Sequence, residues 1–411
     1  MRQQGNAIPI GSWGQIPATA RPRAWSRNLV AVCIGLFAGA YATALACVSF
    51  RFSVDSDFFC FWNLSRFVAE SPPARIYDHA ATEAFLLSLD PPHLTPFPFP
   101  YPPIYLLLIR PLSWLTFPVA QILWSGITFL AYVAALWNRR APSQAALFAL
   151  LAPTTAINFL FGQNGFLTAA LLIGGTRLAP SRPVIGGTLL GLLCYKPQFI
   201  VLIAIALASA RLWRAALVAV STIGLLTLSS LIVFGITPWI AWISSLPEFG
   251  QIVLSQSERL FHLMPTLFPN ALTLGLRMPA AGAVQVIGTC LAAAGVWFAF
   301  RRSSPASCAP ALAVASVLAT PYAFIYDLTL VTAAVILFRA QYFATLSAYE
   351  NLVMSAAALL PIGMLFNLVG PVPPIVLGFV CVMISIRLCR VTITPVHTTY
   401  LRTSIYDEEI H

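Results

Sequence analysis

Apolar residues fill this chain in long blocks separated by short polar breaks. The first block, Leu29 to Phe50, is close to the roughly 20 residues that cross a bilayer as a helix. No signal-peptide cleavage pattern follows it, so it reads as a retained span. Similar blocks recur to residue 390 and predict an all-α, polytopic integral membrane protein with about 11 to 13 transmembrane or re-entrant helices. Some blocks are irregular. Residues 101–137 look like two segments split near Leu115–Pro118, the first short enough to be re-entrant, and the segments near 165–176 and 184–194 are also short. Short, broken helices persist at membrane depth only where protein or a water-filled cavity covers them, so a cavity is expected.

The breaks are of two kinds. Arginine marks those at Arg139-Arg140, Arg177 to Arg182, Arg211 to Arg214, Arg301-Arg302 and Arg339, as it does the N-terminal Arg21, Arg23 and Arg27. Basic residues favour the cytoplasmic side. Placing the arginine breaks inside sends the others outside: 51–100, Gly162-Gln163-Asn164, Tyr195-Lys196-Pro197-Gln198, 236–265 and Pro321 to Asp327. The chain then divides into a disordered cytoplasmic tail (1–27), a membrane-embedded domain (28–390) and a second cytoplasmic tail (391–411). The cavity opens on the outer side of the cell membrane, towards the periplasm or exterior.

The first outer loop has a pattern of its own. Phe58, Phe61, Trp62 and Val68 fall near helical spacing between Ser56 and Glu70, which predicts an interfacial helix, and a second helix is expected from about Ala80 to Leu89. Seven prolines between Pro91 and Pro103 then force an extended path. The second outer loop, 236–265, carries Trp239, Trp242, Glu248, Glu258, Arg259 and His262.

Composition sharpens this picture. The chain is 59% hydrophobic over 411 residues, more apolar surface than a soluble domain can hide. Its net charge of +10 follows from the loops and implies no nucleic-acid partner. Most of the eight cysteines lie in apolar runs without metal-ligand spacing. No soluble domain and no internal repeat is visible.

Charge is scarce, so its placement is informative. Six of the 13 acids (Asp55, Asp57, Glu70, Asp78, Glu83 and Asp90) fall in the first outer loop. Asp55 and Asp57 fit helix capping, because Asp is favoured at N-caps and in first turns; they also fit catalysis. Asp327 sits at an apolar boundary beside Tyr322 and Tyr326, where an ionisable group is expensive; interfacial capping is its alternative. Of the 23 basic residues, 22 are arginine and the other is Lys196. A compact ammonium in an arginine-rich background suits a phosphate, although a lysine can also snorkel to an interface. Gln163 and Asn164 could bond sugar hydroxyls or satisfy a helix end.

Several segments together resemble a known family. "SDFFCFW…ARIYD" (56–78), "FPYPPIYLLLIRPLSWL" (99–115), "FGQNGFLTAALL" (161–172), "GLLCYKPQ" (191–198), "HLMPTLFPNALTLGL" (262–276) and "TPYAFIYDLTL" (320–330) come in the order seen in glycosyltransferase family 87. These are membrane sugar transferases of the GT-C fold, among them polyprenol-phosphate-mannose-dependent enzymes. The resemblance covers roughly residues 53–340. It implies a polyprenyl-phosphate sugar donor, an active site facing away from the cytoplasm, a central acid in the first outer loop (here Asp57, with Asp55 beside it) and an inverting reaction. The family's mannosyltransferases carry histidine in the segment matching 320–330, where this chain has Tyr326-Asp327, so it looks more like the uncharacterised bacterial branch.

The chemistry expected is transfer of a hexose, mannose-like, or another sugar to a hydroxyl of a glycolipid or glycan acceptor. A carboxylate must take the acceptor's proton, which points to Asp57 with Asp327 as competitor. A cation must hold the leaving phosphate, which points to Lys196 with Arg259 or Arg277. Trp62, Tyr77, Tyr101, Tyr322 and Tyr326 offer stacking faces for the sugar. Two neighbouring acids could instead hold Mg²⁺ or Mn²⁺, but no metal site is assigned. The alternative class is a transporter or flippase using the same cavity without chemistry. A polysaccharide polymerase or ligase would use the same donor to move a whole chain.

Overall fold

The computed structural model describes residues 57–89, 96–137, 142–342 and 345–391, all within a compact unit that begins at Val48. The first apolar run, the N-terminal tail, Asp55 and nearly all of the C-terminal tail lie outside the described residues. Among the described residues there are 18 α-helices, seven 3-10 turns and no strand. The protein is an all-α polytopic membrane protein.

Four helices are long and apolar enough to span a bilayer: Phe117–Leu136, Trp213–Phe234, Met278–Arg302 and Ala348–Leu365. Six shorter apolar helices accompany them, among them Gly165–Leu178. The apolar surface is on the outside. On Trp213–Phe234 only Ala215, Ala219, Ser230 and Phe234 are buried, while Leu217, Val220, Leu225, Leu228 and Ile232 are exposed. Water would not tolerate that stripe, and lipid does.

The short Gly165–Leu178 helix lies at the centre, with 11 of its 14 residues buried. It packs on Phe117–Leu136, Pro183–Gly191, Ala309–Ala319 and Thr329–Tyr342. Small residues allow this closeness: a Cβ on Gly175 would lie 2.7 Å from the Leu190 side chain, and one on Gly187 would lie 2.5 Å from the Ala215 carbonyl oxygen. Such residues let helices approach where lipid supplies no hydrophobic drive. Residues 101–137 split as expected into Ile104–Ile109, a 3-10 turn Arg110–Trp114 and the Phe117–Leu136 span.

The first outer loop has its two helices, Asp57–Glu70 and His79–Leu87, and an extended proline-rich path through 96–100. The second outer loop departs from expectation, being mostly the 19-residue helix Thr237–Ser255 followed by Ser257–Leu260. Its periodicity was legible. Ile236, Ile240 and Ile243 are exposed on one side, while Trp242 and Phe249 face the cavity. Pro238 suits the first turn, where its missing N–H costs nothing.

Candidate active site

The five breaks expected on the outer side meet around one cavity of about 610 Å³. The Asp57–Glu70 helix supplies Asp57, the helix break at 162–164 supplies Gln163, and the break at 195–198 supplies Lys196. Arg259 enters from Ser257–Leu260, and Tyr322, Tyr326 and Asp327 come from the segment after Ala309–Ala319.

Asp57 is anchored by its neighbour. Phe58 is fully buried against the Trp124 ring, at 6.3 Å between centroids, and against Gly162. Gly162 has φ +60°, ending the Pro153–Phe161 helix in a left-handed turn. A Cβ on Gly162 would lie 2.3 Å from the Phe58 Cβ, so glycine is needed there twice over. Trp124 Nε1 donates to the Gly162 carbonyl at 3.0 Å. The next residue, Gln163, donates from Nε2 to Asp57 Oδ2 at 2.6 Å.

The Asp57 side chain is exposed to the cavity, whose crowded walls surround its carboxylate. Burial pushes its pKa up, and the Gln163 hydrogen bond and the nearby Arg259 charge pull it back. One turn further, burial and the Asp57 charge push the Cys60 thiol up to about 12.

Lys196 and Asp327 form a buried ion pair, with Nζ 2.5 Å from Oδ1 and each side chain 4% exposed. Lys196 precedes Pro197, whose ring disfavours the helical conformation, and the chain breaks there with φ −120° and ψ 76°. Asp327 Oδ2 accepts from the Phe324 N–H at 3.2 Å, so both carboxylate oxygens are engaged. The Lys196 ammonium also faces the rings of Tyr326, at 5.3 Å, and Phe199, at 5.9 Å.

Behind these groups stands an aromatic frame. Tyr101 stacks near Tyr105 (4.2 Å between centroids), and Tyr105 near Tyr195 (5.2 Å). Asn164 Nδ2 donates to the Tyr101 hydroxyl at 2.7 Å. Burial drives the Tyr101 and Tyr326 phenols well above their ordinary range, which keeps them as neutral hydroxyls. The arrangement offers one open carboxylate, two cations and several hydroxyls in a mostly apolar space.

The family model of glycosyltransferase family 87 matches residues 99–321, over half of the 411-residue chain. The chain belongs to glycosyltransferase family 87. No curated protein and no solved structure matches it. The protein is thus a membrane glycosyltransferase. The matched span of the glycosyltransferase includes Tyr101, Gln163, Lys196 and Arg259 of the cavity; Asp57 precedes it and Asp327 follows it.

Of the residues singled out in the sequence, Asp57, Tyr101, Gln163, Lys196, Arg259, Tyr322, Tyr326 and Asp327 line the cavity. Others are placed differently. Asn164 stands behind Tyr101 as its hydrogen-bond donor. Tyr77 is buried and donates to the Tyr101 carbonyl at 2.9 Å, and Trp62 donates to the Leu115 carbonyl at 3.1 Å; neither lines the cavity. Both are tied to the backbone that shapes the wall, because a buried phenol or indole N–H takes a local acceptor. Arg277 is exposed at the start of Met278–Arg302 and is also off the wall. Asp55 lies outside the described residues.

Sequence reasoning missed two polar supports. Asn158 donates to Thr329 Oγ1 at 2.8 Å and to the Tyr326 carbonyl at 3.4 Å. Gln285, within the Met278–Arg302 span, accepts from the Phe268 N–H at 3.1 Å and donates to the Leu318 carbonyl at 3.0 Å. A lone amide inside an apolar run was the signal available for both. For a divalent cation, the described residues offer no group of three His, Cys, Asp or Glu side chains. Asp327 is engaged by Lys196, and Asp55, the acid neighbouring Asp57, lies outside the described residues.

Proposed function

We propose that this glycosyltransferase moves a sugar, mannose-like or another hexose, from a polyprenyl-phosphate donor to a hydroxyl of a glycolipid or glycan acceptor. Asp57 acts as general base. The acceptor O–H proton passes to Asp57, the acceptor oxygen bonds to the anomeric carbon, and the bond from that carbon to the phosphate oxygen breaks with its electron pair on the phosphate. Arg259 and the Lys196 ammonium hold the developing phosphate charge, and the Tyr326 hydroxyl in the same cavity can donate to it. The reaction runs at the outer face of the inner membrane, as the arginine placement suggests.

The observation that carries this reading is the difference between the two acids. Asp57 opens to the cavity with one oxygen held, whereas Asp327 has both oxygens engaged and serves as the partner of Lys196.

The test is transfer by the purified protein in liposomes, supplied with radiolabelled polyprenyl-phosphate sugars and membrane extract. Consumption of a lipid-phosphate donor, abolished in Asp57→Asn, is expected. A protein that consumes none of them, or an Asp57→Asn variant that turns over normally, removes this mechanism.

A further inference from the structure

The side chain that touches the Asp57 carboxylate is Gln163. Gln163 is 6% exposed, and its backbone is pinned on both sides. Its N–H donates to the Asn158 carbonyl at 3.2 Å, Gly162 before it is fixed in the left-handed region, and Asn164 after it is tied to Tyr101. From this fixed point Nε2 reaches Asp57 Oδ2 at 2.6 Å. The other end of the amide, Oε1, is buried and has no hydrogen-bond partner among the described residues.

A buried carbonyl without a donor is disfavoured, and an amide that merely filled space would turn to satisfy both ends. Reversing this one would set its oxygen 2.6 Å from a carboxylate oxygen. Two acceptors repel at that distance while Asp57 is ionised. The orientation of Gln163 is therefore set by the carboxylate it donates to.

We propose that Gln163 is a positioning residue of the transfer reaction: a dedicated donor that holds Oδ2 of Asp57 and leaves Oδ1 to take the acceptor's proton. This rests on Asp57 being the general base. Glutamine suits the task because it donates without titrating. Glutamate in its place would face a second carboxylate, and histidine would change charge in the working range. The other titratable groups facing Asp57 are Cys60 on its own helix, Arg259 of Ser257–Leu260 and Tyr326 of the Ile325–Leu328 turn. They act on it through charge or proximity, and among the described residues the hydrogen bond comes from Gln163.

The experiment titrates the Asp57 carboxyl directly in the purified full-length protein, by infrared difference spectroscopy of the band that Asp57→Asn removes. In Gln163→Met, similar in length but without the donor, the midpoint is expected to rise by about one pH unit, the loss of a charge-assisted hydrogen bond. The acidic limb of kcat/KM moves by the same amount, and kcat falls about tenfold with KM little changed. Gln163→Asn, one methylene too short to reach, gives the same shift and serves if the methionine variant fails to fold. An unmoved carboxyl midpoint in either folded variant overturns the proposal, even in a protein that transfers sugar. A moved midpoint alongside an active Asp57→Asn variant instead sinks the general-base reading while the pairing of Gln163 with Asp57 stands.

Discussion

Lys196 Nζ lies 2.5 Å from Asp327 Oδ1 across 131 positions of sequence, and the pair sits almost wholly out of solvent in the cavity wall. The chain's lysine thus finds its partner in the acid that the sequence left at an apolar boundary. Each solves the other's problem, since an unpaired charge there would be costly and a paired one is tolerable. The pairing also alters what each can do. Asp327 is bound to its partner, while Lys196 keeps N–H groups for a ligand but contributes little net charge.

Breaking this pair from one side should be worse than removing it whole. Asp327→Asn or Lys196→Met leaves one buried charge uncompensated and is expected to cost about 3–5 kcal/mol of stability. Lys196→Met combined with Asp327→Leu should recover most of that loss but not donor binding. Thermal unfolding in detergent, with donor-binding measurements on the same samples, reads both.

Transfer should depend on pH through Asp57. Its pKa is raised by burial, so the ionised base forms at higher pH than for an ordinary carboxylate, near 4. The acidic limb of kcat/KM is expected above that value. For stability the sign is opposite: a carboxylate with a raised native pKa contributes most at low pH and loses that contribution as pH climbs through the native value. Asp57→Asn should therefore abolish transfer without lowering the unfolding temperature at neutral pH. A clear drop in that temperature would contradict the assignment.

Gly165 is expected to be irreplaceable. A Cβ there would lie 2.4 Å from both the Asn158 Oδ1 and the Tyr326 carbonyl oxygen. Gly165→Ala must push away the turn that carries Tyr326 and Asp327, so donor binding should fall at least tenfold, about 1.4 kcal/mol. Gly282→Ala, where nothing lies within 4 Å, is the control. It should be neutral or stabilising by up to about 1 kcal/mol, because alanine is the better helix former.

Gln285 should matter for shape rather than chemistry. Gln285→Leu removes the acceptor of the Phe268 N–H and the donor to the Leu318 carbonyl. A loss of about 1–3 kcal/mol is expected, with a higher KM because Thr320 to Tyr322 follow directly from that helix end. Unfolding curves and donor saturation kinetics would show both effects.

Cys60 should be a slow thiol although it lines the cavity. With its pKa near 12, its thiolate fraction at neutral pH falls about 10³-fold below that of an ordinary cysteine. Maleimide labelling should be correspondingly slow in the native protein and rapid after unfolding. Equal rates in the two states would argue against the enclosed setting of Cys60.

The sequence by itself determined the all-α, polytopic membrane character, because apolar blocks follow from bilayer chemistry and need no partner residue. The split of 101–137, the two helices of the first outer loop and the short Gly165–Leu178 helix were legible for the same reason. The helix Thr237–Ser255 was legible in its periodicity but hidden by polar residues on a segment expected to be a loop. The pairing of Lys196 with Asp327 and of Gln163 with Asp57 was decided only by the tertiary structure. Those contacts join positions more than 100 residues apart, and hydrogen-bond geometry depends on how helix breaks converge. The same holds for Trp62 and Tyr77, whose residue type suits a sugar face but whose polar atoms are bound to nearby backbone carbonyls. Composition can place a rare charge at the right depth; only packing tells which neighbour neutralises it and which charge stays open to a substrate.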